Sequence, residues 1–250
     1  MPDIVSQALG IEGLWLLVLG AALSGVVRGF SGFGTALIFI PFAAMVVPPV
    51  WVLIILVIMD MIGPAPNLPR AFRDGDPGQV GWLLLGSALF LPLGLAVLVR
   101  VSPDLFRYAV SGLAIAVPLI LSLGLRYTGP MSRPVMAGTG AASGFLGGVA
   151  GLPGPPVILL YMSAPVPPAS IRANTMLYLY GYDILLLGLL AVQARLEWVP
   201  VVLGLAMALP NIIGNLLGAW VFEPSRARLY RGVAYVVIIA AAISGLPIWD

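Results

Sequence analysis

The side chains able to do chemistry are few in this chain, and their types narrow what the chemistry can be. Of 250 residues none is Cys or His, and all 12 cationic side chains are Arg. Composition therefore excludes disulfides, thiolate or imidazole metal sites, cysteine nucleophiles, imidazole bases and Schiff-base lysines. Charge and hydrogen bonding remain, and two segments concentrate them. Residues 28–36 read Arg-Gly-Phe-Ser-Gly-Phe-Gly-Thr-Ala, and residues 147–156 read Gly-Gly-Val-Ala-Gly-Leu-Pro-Gly-Pro-Pro. The planar fork of Arg28 can pair with an oxyanion, and Ser31 and Thr35 can donate hydroxyls. Gly29, Gly32, Gly34, Gly148, Gly151 and Gly154 let the chain turn and let backbone approach a ligand. A helix restarting after such a break aims free amide hydrogens at what lies there, which suits a small anion.

Further polar residues sit inside apolar runs, where a charge is costly and points to function. Asp60 lies in Ile-Met-Asp-Met-Ile and Asp183 in Tyr-Gly-Tyr-Asp-Ile. Such carboxylates can carry a coupled proton or pair with an Arg. Arg172, near Asn174 and Thr175, can hold an anion or anchor a helix at the interface; Arg28 has the same two options. Asn211 and Asn215 are one turn apart and can face a cavity or bond a neighbouring helix. The hydroxyls of Ser24, Ser143, Ser31 and Thr35 can serve an anion or their own helix backbone.

The elements that must position these residues follow from composition. About 60% of the chain is apolar and 9% charged, where a soluble domain carries about 25% charge. Mean hydropathy is +1.07. The outer surface must face lipid. Asp3 and Glu12 precede the first apolar run, which argues against a cleaved signal peptide. No basic cluster suggests nucleic acid, and no phosphate-binding loop suggests ATP. Apolar segments fall at 13–27, 34–47, 50–66, 80–99, 106–124, 135–146, 155–164, 174–192, 198–221 and 231–248. Six of them approach or exceed the roughly 17–25 residues that cross a bilayer. The first two of each half are shorter, as expected of broken helices or re-entrant hairpins. Trp15, Trp51, Trp82, Trp198 and Trp249 lie mostly near segment ends, as interfacial aromatics do.

The chain repeats itself. An offset of 119 lays Ser24-Gly25 on Ser143-Gly144, Gly29 on Gly148, Gly32 on Gly151 and Pro48-Pro49 on Pro167-Pro168. An offset of 124 lays Gly94 on Gly218 and Leu105-Phe106-Arg107 on Leu229-Tyr230-Arg231. The halves divide at 1–127 and 128–250. Cytoplasmic loops collect Arg. Counting each short pair as two passes or as a hairpin, which have the same parity, puts Arg28, Arg70, Arg73, Arg126, Arg133, Arg172, Arg226, Arg228 and Arg231 on one side, against Arg100, Arg107 and Arg195. Each half then has an odd number of passes, and the repeats are inverted. Four-residue glycine spacings such as Gly25/Gly29 and Gly214/Gly218 also suit close helix packing without any ligand.

Gly-Phe-Ser-Gly-Phe-Gly-Thr-Ala-Leu-Ile-Phe-Ile-Pro at 29–41, after Arg28, resembles the first signature of the sulfite exporter TauE/SafE family, in the branch with Arg-Gly-Phe-Ser-Gly-Phe-Gly. Gly-Phe-Leu-Gly-Gly-Val-Ala-Gly-Leu-Pro-Gly-Pro-Pro at 144–156 resembles its second. The resemblance implies a multi-pass permease of the bacterial inner membrane that moves sulfite, organosulfonates or similar anions, usually outward. The resulting expectation is an all-α polytopic membrane protein of two inverted-topology repeats. Each repeat has a Gly/Pro-broken short-helix pair plus three transmembrane helices. The substrate would bind near Arg28, Gly29, Ser31, Gly32, Gly34, Thr35, Gly148, Gly151, Gly154, Asn211, Asn215 and Arg172, between the two breaks, with Asp60 and Asp183 available for proton coupling. No cofactor, metal or catalytic residue is expected. The partners would be a small anion and the bilayer, with a homodimer left open. The rival readings are an uptake permease for another organic anion and a structural membrane subunit.

Overall fold

The computed structural model describes residues 2–123, 127, 129–161 and 167–248; Arg126 and Trp249 lie outside the described residues. Helix makes up 82%, and the described residues include no strand, so the fold is all-α. Among the described residues, five helices are long and apolar enough to cross a bilayer. They are Leu14–Ser31, Pro77–Leu98, Pro103–Ser122, the stretch Ala169–Val192 and Trp198–Val221.

The chain divides into two compact units that do not coincide with the sequence halves. Unit 1 is Met1–Asp60, Val101–Leu119 and Glu197–Asp250. It contains α1 (Pro2–Leu9), α2 (Leu14–Ser31), α3 (Thr35–Ala43), most of α4 (Pro49–Ile62), most of α7 (Pro103–Ser122), α11 (Trp198–Val221) and α12 (Ala227–Ser244). Unit 2 is Met61–Arg100 and Ile120–Leu196. It contains α5 (Leu68–Asp74), α6 (Pro77–Leu98), α8 (Arg133–Ala150), α9 (Gly154–Tyr161) and α10 (Pro168–Val192).

Local chemistry sets the ends of these helices. Asp76 caps α6, accepting from the amides of Gly78 at 2.9 Å and Gln79 at 3.1 Å, while Pro77 takes the first helical position, where a missing amide costs nothing. Gly32 ends α2 with φ +80°, and Gly151 ends α8 with φ +69°. Such left-handed stops are open to glycine and strained for other residues.

Three segment boundaries differ from the sequence reading. The segments 13–27 and 135–146 were expected to be short, yet α2 and α8 each run 18 residues. Their Gly and Ser residues sit inside helices, because a glycine that lets two backbones touch recovers in packing what it loses in propensity. Segment 50–66 was expected to be one span, but α4 stops at Ile62 before Gly63-Pro64 and bends by 48° into Ala65–Asp74. The first helix, α1, precedes the expected first segment. The breaks are correspondingly narrow: residues 32–34 in unit 1 and 151–153 in unit 2.

Candidate functional site

Each break hangs on a helix seam, and the two seams have the same register. In unit 1, α2 packs on α11. A side chain at Gly25 would strike the backbone of Asn211 and Asn215, and one at Gly29 that of Asn215, Gly218 and Ala219. In unit 2, α8 packs on α6. A side chain at Gly144 would strike the backbone of Ser87, and one at Gly148 that of Leu91, Gly94 and Leu95. The α2 and α8 positions differ by 119 (144 − 25, 148 − 29). The α11 and α6 positions differ by 124 (211 − 87, 215 − 91, 218 − 94, 219 − 95). These are the two offsets of the sequence repeat. Gly29 and Gly148, expected to contact substrate, therefore lie within helices and serve backbone contact between helices.

The unit 1 break carries an ion pair. Arg28, in the last turn of α2, donates from Nη1 to Oδ1 of Asp60 on α4 at 2.7 Å, and the same nitrogen lies 3.3 Å from Oγ1 of Thr35. The Arg28 and Asp60 side chains are 25% and 24% exposed, so the pair is partly shielded without being sealed. Thr35 is buried at the start of α3. Gly34, with φ +102°, turns the chain so that α3 begins there. Its first internal bond runs from the amide of Ile38 to the carbonyl of Gly34 at 3.1 Å. The amides of Thr35, Ala36 and Leu37 precede that bond and have no partner inside the helix. A guanidinium thus sits beside the positive end of a short helix, with one carboxylate as counter-ion. Ser31 is not part of this group. Its hydroxyl donates to Val27 O at 2.6 Å, lies 2.9 Å from Phe33 O and accepts weakly from the Phe33 amide, so it closes the turn on itself.

The unit 2 break is held by neutral hydroxyls. Ser143 donates to the carbonyl of Pro153 in the break. Tyr178 of α10 donates to Ser143 at 2.6 Å and lies 2.8 Å from the hydroxyl of Ser87, which also reaches Gly140 O at 2.9 Å. Three hydroxyl protons serve four contacts, so one proton, from Ser87 or Tyr178, is shared between two acceptors. The first three residues of α9 are Gly154, Pro155 and Pro156, and only Gly154 has an amide hydrogen. The amide-rich second end expected from the sequence is absent, because proline nitrogens carry no hydrogen.

The remaining candidates have other places. Asn211 donates through Nδ2 to Ala21 O at 3.2 Å and Ser24 Oγ at 3.1 Å, which uses both its hydrogens at the seam of unit 1. Asn215 lies one turn further along that seam, with its carbonyl against Gly29. Arg172 is exposed near the start of α10. Asp183 is buried in α10 of unit 2. Among the described residues no cluster of acidic side chains could hold a metal ion. The sequence reading missed Ser87 and Tyr178. Ser87 was open to discovery through the second offset, since it is the counterpart of Asn211. Tyr178 carried no such signal, because a Tyr in an apolar run reads as packing.

Apolar helices of spanning length, with a charged pair at an interrupted helix, define a polytopic membrane protein of the kind that builds ion and solute sites at helix breaks. The sequence model of the family described as Sulfite exporter TauE/SafE matches residues 17–245. The chain belongs to this family of membrane transporters of sulfite or related anions. Neither a curated protein sequence nor a solved structure matches it.

Proposed function

We propose that the protein is a secondary transporter that carries sulfite or organosulfonates outward across the bacterial inner membrane, with Arg28 as its principal anion contact. The observation that carries this reading is the 2.7 Å pair of Arg28 and Asp60 beside the start of α3. An entering oxyanion takes the place of Asp60 on the guanidinium, helped by the Thr35 hydroxyl and the free amides of α3. When the anion leaves, Asp60 returns and the site is reset. The counter-ion supports release, because an unneutralised Arg in a poorly solvated site would hold an anion too tightly. An anion leaving a cell that is negative inside gains about 2.3 kcal/mol per charge per 100 mV, so export needs no coupling ion. The odd number of passes per half and the nine-to-three arginine split support inverted repeats and alternating access.

The test is flux in proteoliposomes holding protein of one orientation, with sulfite, thiosulfate, sulfoacetate, taurine and acetate offered in turn and a potential imposed with either sign. Sulfite flux that follows the potential, with competition by the organosulfonates, is the expected result. Absence of flux with every one of these solutes rejects the reading. Flux of acetate alone moves it to a carboxylate permease.

A further inference from the structure

The two breaks differ in exposure. In unit 2, Gly151, Leu152 and Pro153 are all buried. In unit 1, Gly32 is exposed, and a Cβ added there would meet nothing within 4 Å. Its amide donates to the carbonyl of Arg28 at 2.7 Å, so this open turn follows directly on the residue that bears the guanidinium. The rest of the unit 1 break is covered by α12. The ring of Phe33 lies 6.2 Å from that of Tyr235, and a Cβ at Gly34 would lie 3.5 Å from Ile238 Cδ1.

The same face of α12 carries a cation at the edge of that cover. Residues 231, 235 and 238 are spaced by four and three and so share one side of the helix. Arg231 stands about 6 Å along the axis before Tyr235, close enough to act electrostatically on its hydroxyl. It is exposed, and among the described residues no carboxylate pairs with it. Arg226, by contrast, is held by Glu223 at 3.1 Å. Arg226, Arg228 and Arg231 are all exposed around the start of α12. Three such cations within six residues are too costly for hydrocarbon, so this end of unit 1 lies at the aqueous boundary.

We infer that Arg231 captures the anion before Arg28 binds it, drawing oxyanions from the aqueous boundary to the open turn at Gly32. The inference rests on the transport reading above. Arg28 is partly shielded and already faces Asp60, so it projects little field into water. An unpaired cation on the rim does, and it raises the concentration of anions there. Full solvation keeps its grip weak, so it attracts without holding. Its reach is about 10 Å at 0.1 M salt. The favoured ligands are oxyanions with net negative charge. A sulfonate that also carries an ammonium group gains little from this step.

The experiment measures sulfite flux in proteoliposomes of one orientation, with sulfite offered at each face in turn. It compares wild type, Arg231→Gln, Arg231→Lys, Arg28→Ala and Arg195→Gln, the last removing one charge from an exposed arginine of unit 2. At low ionic strength Arg231→Gln should raise KM about tenfold at one face only, with the maximal rate and the Tm in detergent unchanged. In 1 M sodium chloride, where the Debye length is about 3 Å, the gap from wild type should close. Arg231→Lys and Arg195→Gln should match wild type throughout. A gap that persists in 1 M salt, a rise at both faces, an equal rise in Arg195→Gln or a Lys variant that behaves as the Gln variant overturns the inference. A lower Tm or maximal rate in Arg231→Gln also overturns it, and assigns Arg231 to anchoring α12. If wild type transports, Arg28→Ala does not and Arg231→Gln matches wild type, this inference alone falls. If wild type moves neither sulfite nor an organosulfonate, the transport reading falls with it.

Discussion

Asn211 of α11 and Ser87 of α6 do one job 124 residues apart. Asn211 donates to the carbonyl of Ala21, and Ser87 reaches the carbonyl of Gly140, 119 residues from Ala21. Each is a polar rivet across a glycine-lined seam. Asn211→Leu should lower thermal stability by about 0.6–1.7 kcal/mol, the range for a hydrogen bond between helices in a bilayer, and leave the KM for the anion unchanged. A KM change with unaltered stability would return Asn211 to the substrate site.

The seam glycines should be intolerant in a position-specific way. Gly29→Leu and Gly148→Leu each drive a side chain into the backbone of a facing helix, whereas a Cβ at Gly112 or Gly232 meets nothing within 4 Å. The first two substitutions should abolish monodisperse protein on size-exclusion chromatography, since overpacking against backbone cannot relax by a rotamer change. Gly112→Leu and Gly232→Leu should behave as wild type. Equal behaviour of all four would refute the seams.

Arg28 and Asp60 should separate in kinetics. Arg28→Ala removes the anion's principal contact, and flux should fall to background while the protein stays folded in detergent. Asp60→Asn leaves the guanidinium without its competitor. The anion should then bind more tightly, with a lower KM, and leave more slowly, with a lower maximal rate. Paired falls in KM and rate, read from initial-rate flux curves, are the expected signature; a raised KM would mean that Asp60 holds Arg28 in place and does not compete for it.

Arg107 should matter for stability alone. It is buried in α7 and donates through Nε to Gly245 O at 3.0 Å and through Nη2 to Leu246 O at 3.4 Å, at the carboxyl end of α12. A cation there satisfies free carbonyls and opposes the helix dipole. Arg107→Met should cost about 1.5–3 kcal/mol, read as a lower Tm, without altering the KM for sulfite.

Much of this architecture was legible in the chain. The lack of charge demanded lipid-facing helices, and the Ser-Gly and Pro-Pro coincidences gave offsets that reappear as packing register. Arg28 was legible because a cation in an apolar run needs a reason. Its partner Asp60 was visible as a costly carboxylate, but nothing in sequence spacing joins residues 32 positions apart on different helices. The glycines were ambiguous. Gly29 and Gly148 look the same whether they open a turn or admit a neighbouring backbone, and only the facing helix decides.

The pairing of α2 with α11 sets an order of assembly. At about 5–20 residues per second, the ribosome needs roughly ten to forty seconds after finishing Ser31 to complete α11, and until then the groove of α2 has only lipid or insertion machinery against it. The other seam, α6 with α8, can close while synthesis is still under way. Chains released early would therefore carry one finished unit and one exposed glycine groove, a ready target for membrane quality control.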